Sequence, residues 1–147
     1  MSNAPAPDRA SALPAPTERR IWLVLGFLVL LDATLVAWAT AFPQLWFTAF
    51  HGTTYDDPQG FLRRCAANWA AFLLLQIIAF ARWRRDAVWL AVVAGARLSD
   101  IFTDVTYVLV AHDTTWFAKL TLAPTSLANL LIGLFLLRAY RVRTARS

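Results

Sequence analysis

With 147 residues the chain has the length of one domain, yet 59% of it is hydrophobic and it carries 7 Trp and 10 Phe, more apolar area than a core this small can hide from water. A mean hydropathy of +0.50 makes lipid the solvent for much of its surface. The net charge of +5 sits at the edges of apolar runs and forms no stripe among polar residues, which argues against a nucleic-acid partner and for a membrane surface. One cysteine, Cys65, and two histidines, His51 and His112, exclude an internal disulfide, a CxxC redox pair and paired haem ligands, so no cofactor is expected.

Residues 1–20 are rich in Ala, Pro and Ser without an apolar period, and read as a disordered cytoplasmic tail. Four apolar runs follow, at about 21–42, 62–81, 87–111 and 120–138. Each is near the ~20 residues a helix needs to cross a hydrocarbon layer of ~30 Å. They are too long and too uniform for strands, and in lipid the backbone must bond within its own segment. The predicted fold class is therefore all-α: a polytopic membrane protein whose domain, 21–140, is an antiparallel bundle of four transmembrane helices, followed by a basic cytoplasmic tail at 141–147. Ala39-Thr40-Ala41 looks like a signal-peptide cleavage site. The long preceding tail, the length of the apolar stretch and Asp32 within it favour a retained first span.

In the first outer loop, Pro43 suits a first helical position and Gly52 a helix end. This predicts a short amphipathic helix over 43–51, lying on the membrane surface with Trp46, Phe47 and Phe50 dipping in. Asp56-Asp57-Pro58-Gln59-Gly60 then reads as a turn into the second span.

Arg9, Arg19, Arg20, Arg82, Arg84, Arg85, Arg138, Arg141, Arg143 and Arg146 flank the spans on one side, against Arg63, Arg64 and Lys119 on the other. That bias predicts a bacterial inner-membrane protein with both termini in the cytoplasm. Trp22, Trp83 and Trp89 would anchor the inner interface, Trp46 and Trp116 the outer one.

The stretch GARLSDIFTDVTY, 95–107, places Arg97, Asp100 and Asp104 on one helical stripe, within about 60° of one another. Asp32, Arg97, Asp100 and Asn129 all fall near the midpoints of their spans. A lone charge at that depth costs a few kcal/mol, so these side chains should face inward and pair, Arg97 with Asp32 or Asp100. Further out, Arg64 and Asp104 are level, with Asn68 one turn from Arg64, and an Arg64–Asp104 pair is predicted. Three acids against two arginines leave one carboxylate in excess, which in a dry site takes up a proton. Such a cluster is either a structural pin or the proton site of a carrier. Ser126, Asn129 and Gly133 share a face of the fourth helix suited to close packing. Gln76 would bond a neighbouring backbone or subunit, and Pro124 reads as a first-turn proline. His51 and His112, with Asp56, Asp57 and Asp113, all lie on the outer side and offer zinc-ligand chemistry without zinc-ligand spacing.

Asp100-x-x-x-Asp104 resembles half of the aspartate motif of membrane CDP-alcohol phosphotransferases, but the companion acids are missing. Small multidrug-resistance exporters are similar in size and in having a midmembrane acid. A broader resemblance is to the DoxX-like family and neighbouring small bacterial four-helix membrane proteins. It covers about 21–140 and rests on a first span ending at Pro43, an amphipathic outer segment, a second span entered through Arg63-Arg64 and Ala66-Ala67, a short basic loop, and Arg97 within the third span. That resemblance implies a non-enzymatic accessory or assembly subunit, with the bilayer and a membrane protein or second copy as partners.

Overall fold

The computed structural model describes residues 13–112 and 114–145, and within them the chain is all helix and connecting turns. Helix α1 spans Ala15–Ala41, α2 Pro43–His51, α3 Phe61–Arg82, α4 Val88–Val110 and α5 Trp116–Thr144. Three of them, α1, α3 and α5, are long and apolar enough to cross a membrane. Helix α4 has the length, 23 residues, but every stretch of it long enough to span holds Arg97, Asp100 and Asp104.

The ends of the helices depart from expectation. Helix α1 begins at Ala15, six residues before the predicted span, with Pro14 as its N-cap and Glu18 in its first turn. A proline there costs no hydrogen bond and a carboxylate favours the positive helix end, so only 1–12 of the predicted tail lie outside the described residues. Helix α5 runs from Trp116 to Thr144 and absorbs most of the predicted basic tail; residues 146–147 lie outside the described residues. Because α5 starts at Trp116, Pro124 sits in its interior. Nearby Thr121 and Thr125 donate to the carbonyls of Phe117 and Thr121, the usual way hydroxyls are accommodated in a lipid-facing helix.

Helices α1 and α3 pack together over their length, as do α4 and α5, and α3 against α4 joins the two pairs. Within each pair the directions oppose. Trp22 meets Phe80 while Asp32 meets Gln76, and the backbone of Gly133 approaches Leu98 while Asn129 approaches Asp104. Gly133 is fully in contact with α4: a Cβ there would lie 2.8 Å from Leu98 Cγ and Cδ2 and 3.4 Å from the Ala94 carbonyl oxygen. Small residues allow this approach, as the Ser126/Asn129/Gly133 spacing predicts.

The short helix α2 forms where predicted, 43–51, and ends on Gly52 in the left-handed region, φ 67°. Its aromatic face, however, turns into the protein. Trp46 and Phe50 are buried with Ala39, Leu62, Ala66 and Ala118, from α1, α3 and α5. Thr115 secures this arrangement: its N–H donates to the Phe50 carbonyl over 2.9 Å and its hydroxyl to that of Ala49, while the same oxygen caps α5 by accepting from the Ala118 N–H. The predicted turn leads into α3 through Gly60, φ 69°, and Asp57 accepts from the N–H groups of Phe61 and Leu62 at 2.8 and 2.9 Å. A carboxylate on otherwise unpaired amide donors is a strong start signal.

At the opposite end the arginine-rich termini gather. Arg84 pairs with Glu18 at 3.1 Å and stacks over Trp22 and Trp83, and Arg143 lies over Trp83 and donates to the Arg84 carbonyl. Trp83, predicted as an interfacial anchor, is fully buried here; cation–π contacts give it a protein environment in place of a lipid one. Trp22 and Trp89 are partly buried against the same core, whereas Trp116 is 73% exposed, as an anchor would be.

Gly133→Ile should drive a branched side chain into Leu98 and cost about 1–3 kcal/mol. Thermal unfolding in mild detergent would show a clearly lowered midpoint, and an unchanged midpoint would refute the close α4–α5 contact.

Candidate functional site: a buried guanidinium and its carboxylates

Arg97 is the third-turn arginine of α4 and is 2% exposed. One of its nitrogens, Nη2, lies 2.9 Å from Asp32 Oδ2 and 3.2 Å from Asp100 Oδ2, while Nη1 lies 3.5 Å from Asp32 Oδ1. The guanidinium thus forks onto Asp32 of α1 and also holds Asp100 one turn along its own helix. The planar, five-donor arginine head suits such a shared geometry where a lysine would not. Phe72 of α3 closes the remaining side, with the guanidinium carbon 5.4 Å from its ring centroid.

Asp32 has a second partner. Gln76 of α3, fully buried, donates from Nε2 to Asp32 Oδ2 over 2.6 Å. The sequence places Gln76 on a neighbouring backbone or subunit; its position on the buried face of α3, level with Asp32, is the signal that identifies the true acceptor. Four side chains from three helices therefore form one connected set, Gln76–Asp32–Arg97–Asp100. Gln76 Oε1 and Arg97 Nε are buried without hydrogen-bond partners.

The outer half of the predicted cluster is arranged differently. Among the described residues no ion pair joins Arg64 to Asp104, and Arg64 and Asn68 are both exposed. Hydropathy gave them the right depth, but they lie on the face of α3 opposite Leu62, Ala66 and Gln76. Asp104 instead turns towards α5, where Asn129 and Ser126 lie beside it. Asn129 is 3% exposed. The second carboxylate oxygen of Asp104, Oδ2, is buried without a partner. With Arg64 outside, the cluster holds Asp32, Asp100 and Asp104 against Arg97 alone, an excess of two carboxyl groups where the sequence predicts one.

Of the two histidines, His51 lies tilted against Phe47, and the Tyr107 hydroxyl is 3.3 Å from its ring nitrogens. His112 is exposed, and residue 113 lies outside the described residues. Among the described residues no three His, Cys, Asp or Glu side chains converge as a metal site would require.

Arg97→Met should leave Asp32 and Asp100 buried without their counter-charge, at a cost of about 3–5 kcal/mol, and Asp32→Asn added to it should recover part of that loss. Folded yield and melting in detergent measure both; a wild-type midpoint for the single variant would remove Arg97 from the role described. Arg64→Gln should change stability by no more than about 0.5 kcal/mol, whereas Asn129→Leu, which takes a buried polar neighbour from Asp104, should cost about 1–3 kcal/mol. Equal effects of these two would restore the Arg64–Asp104 pair.

Comparison with protein-family models, with curated proteins and with solved structures finds no match for this chain.

Proposed function

We propose that this is a four-span protein of the bacterial inner membrane, with both termini in the cytoplasm, that serves as a non-enzymatic accessory or assembly subunit. The observation that carries the reading is the closure of the Arg97 set. Its guanidinium is engaged by two carboxylates and covered by Phe72, and Asp32 and Gln76 are wholly buried. A guanidinium buried and engaged in this way holds helices together. For α4 as a span, support comes from its length, about 35 Å at 1.5 Å per residue, and from the division of its faces. Arg97 points inward, while Phe102, Val105, Leu109 and Val110 are exposed and apolar. The gathering of Arg84 and Arg143 with Glu18 at one end supports the orientation, since arginine-rich ends stay in the cytoplasm. The likeness to DoxX-like proteins points to the same kind of role.

A second reading, a small proton-coupled carrier, is favoured by one observation, the unpartnered Oδ2 of Asp104 beside an excess of carboxyl groups. In it the proton is carried by Asp32 or Asp100, or by Asp104 with its unpartnered oxygen.

Native mass spectrometry of the tagged chain, gently extracted from its own host's membranes, separates the two. The accessory reading expects a second polypeptide retained at fixed stoichiometry. A bare monomer or homodimer that passes protons in liposomes, and loses that flux in Asp104→Asn while still folding, would overturn it in favour of the carrier.

A further inference from the structure

Helix α1 carries its charge and its exposed apolar surface on one continuous strip. A cleft of about 500 Å³ at its first turns is lined by Ala15, Pro16, Arg19, Arg20 and Leu23. Below it, at helical spacings of four and three residues, Leu23, Phe27 and Leu30 are 63%, 56% and 68% exposed. Two guanidiniums thus stand directly above an apolar track of about two turns.

Two of the neighbouring cations at this end, Arg84 and Arg143, are already engaged. Arg84 has Glu18 and two indole rings, and Arg143 has Trp83 and the Arg84 carbonyl. Asp86, the other acid of this end among the described residues, accepts from the Val88 N–H. Arg19 and Arg20 make no ion pair among the described residues and are exposed. Adjacent, unpaired guanidiniums are suited to a phosphate, whose oxygens accept from their forked donors. The cleft is open, and its floor at Leu23 is apolar.

From this juxtaposition we infer that the N-terminal cleft of α1 is a binding site for one anionic phospholipid, its phosphate between Arg19 and Arg20 and an acyl chain along Leu23, Phe27 and Leu30. A zwitterionic lipid brings its own ammonium to the two arginines and loses most of the attraction. A free phosphate ester lacks the chain that the track would hold. Charge complementarity and the apolar strip select the same occupant, an acidic lipid of the leaflet facing the basic end. The inference rests on α1 crossing the membrane, as proposed above.

The test is native mass spectrometry of the full chain in mild detergent, titrated in parallel with phosphatidylglycerol, phosphatidylcholine and glycerol phosphate. The expected result is a discrete phosphatidylglycerol adduct, with far weaker adducts of the other two. Arg19→Gln/Arg20→Gln should reduce that adduct about thirty-fold, the combined attraction of two arginines for an anionic headgroup. Arg82→Gln/Arg85→Gln, which removes the same charge from exposed positions outside the cleft, should leave it within about two-fold. Equal loss in both double variants would overturn the site and leave only diffuse attraction to the basic end. Glycerol phosphate displacing the lipid from the wild type would overturn the lipid assignment in favour of a free phosphate. Should the wild-type chain stay monodisperse without detergent, the membrane reading itself would fail, a result distinct from either.

Discussion

A guanidinium buried among apolar helices is costly unless it is paired, and that constraint governs how the long helices of this chain meet. Arg97 is on α4 and its strongest partner, Asp32, is on α1, so the α1–α3 and α4–α5 pairs must come together at one depth for either charge to be tolerated. Gln76 extends the linkage to α3, and the close backbone approach at Gly133 fixes α5 on the other side of α4. Buried ion pairs contribute little net stability over apolar side chains of the same shape, while a single broken partner is costly. The Arg97 set is accordingly better understood as a device for specifying one register among many that leucine-rich faces would permit than as a source of stability.

The two ends solve different problems. At the basic end, cations and indole rings interleave, Trp83 between Arg84 and Arg143, so that clustered positive charge is balanced by ring faces and by Glu18. At the other end the space between the helices is filled by apolar rings, with Trp46 stacked on Phe50 at 4.6 Å, edge-on to Trp38 and tilted against Trp69. Aromatic pairs of this kind contribute beyond the area they bury, and here they replace contact between α1 and α5, which touch little.

Depth was legible in the sequence and direction around a helix was not. Hydropathy located each long helix, and the midpoint rule paired Asp32 with Arg97 because both are forced to one level and neither can face lipid. The same rule failed for Arg64 and Asp104, which are level but lie on faces that do not meet; nothing in a hydropathy profile fixes helix order or rotation. The helix start at Ala15 was concealed by an Ala/Pro-rich composition, although Pro14 and Glu18 together form a recognisable start signal. Helix α2 was legible from Pro43 and Gly52, but its orientation was not, because an amphipathic face looks the same whether it covers lipid or a protein core.

The clasp between Thr115 and the end of α2 joins residues that are 66 positions apart. Synthesis proceeds from the N-terminus, so α2 is made long before the residue that secures it. Until α5 is in place, Trp46 and Phe50 lack the Ala118 side of their pocket, and that end of the earlier helices is left without its closing piece. The last helix to be made is thus also the one that completes the packing begun by the first two.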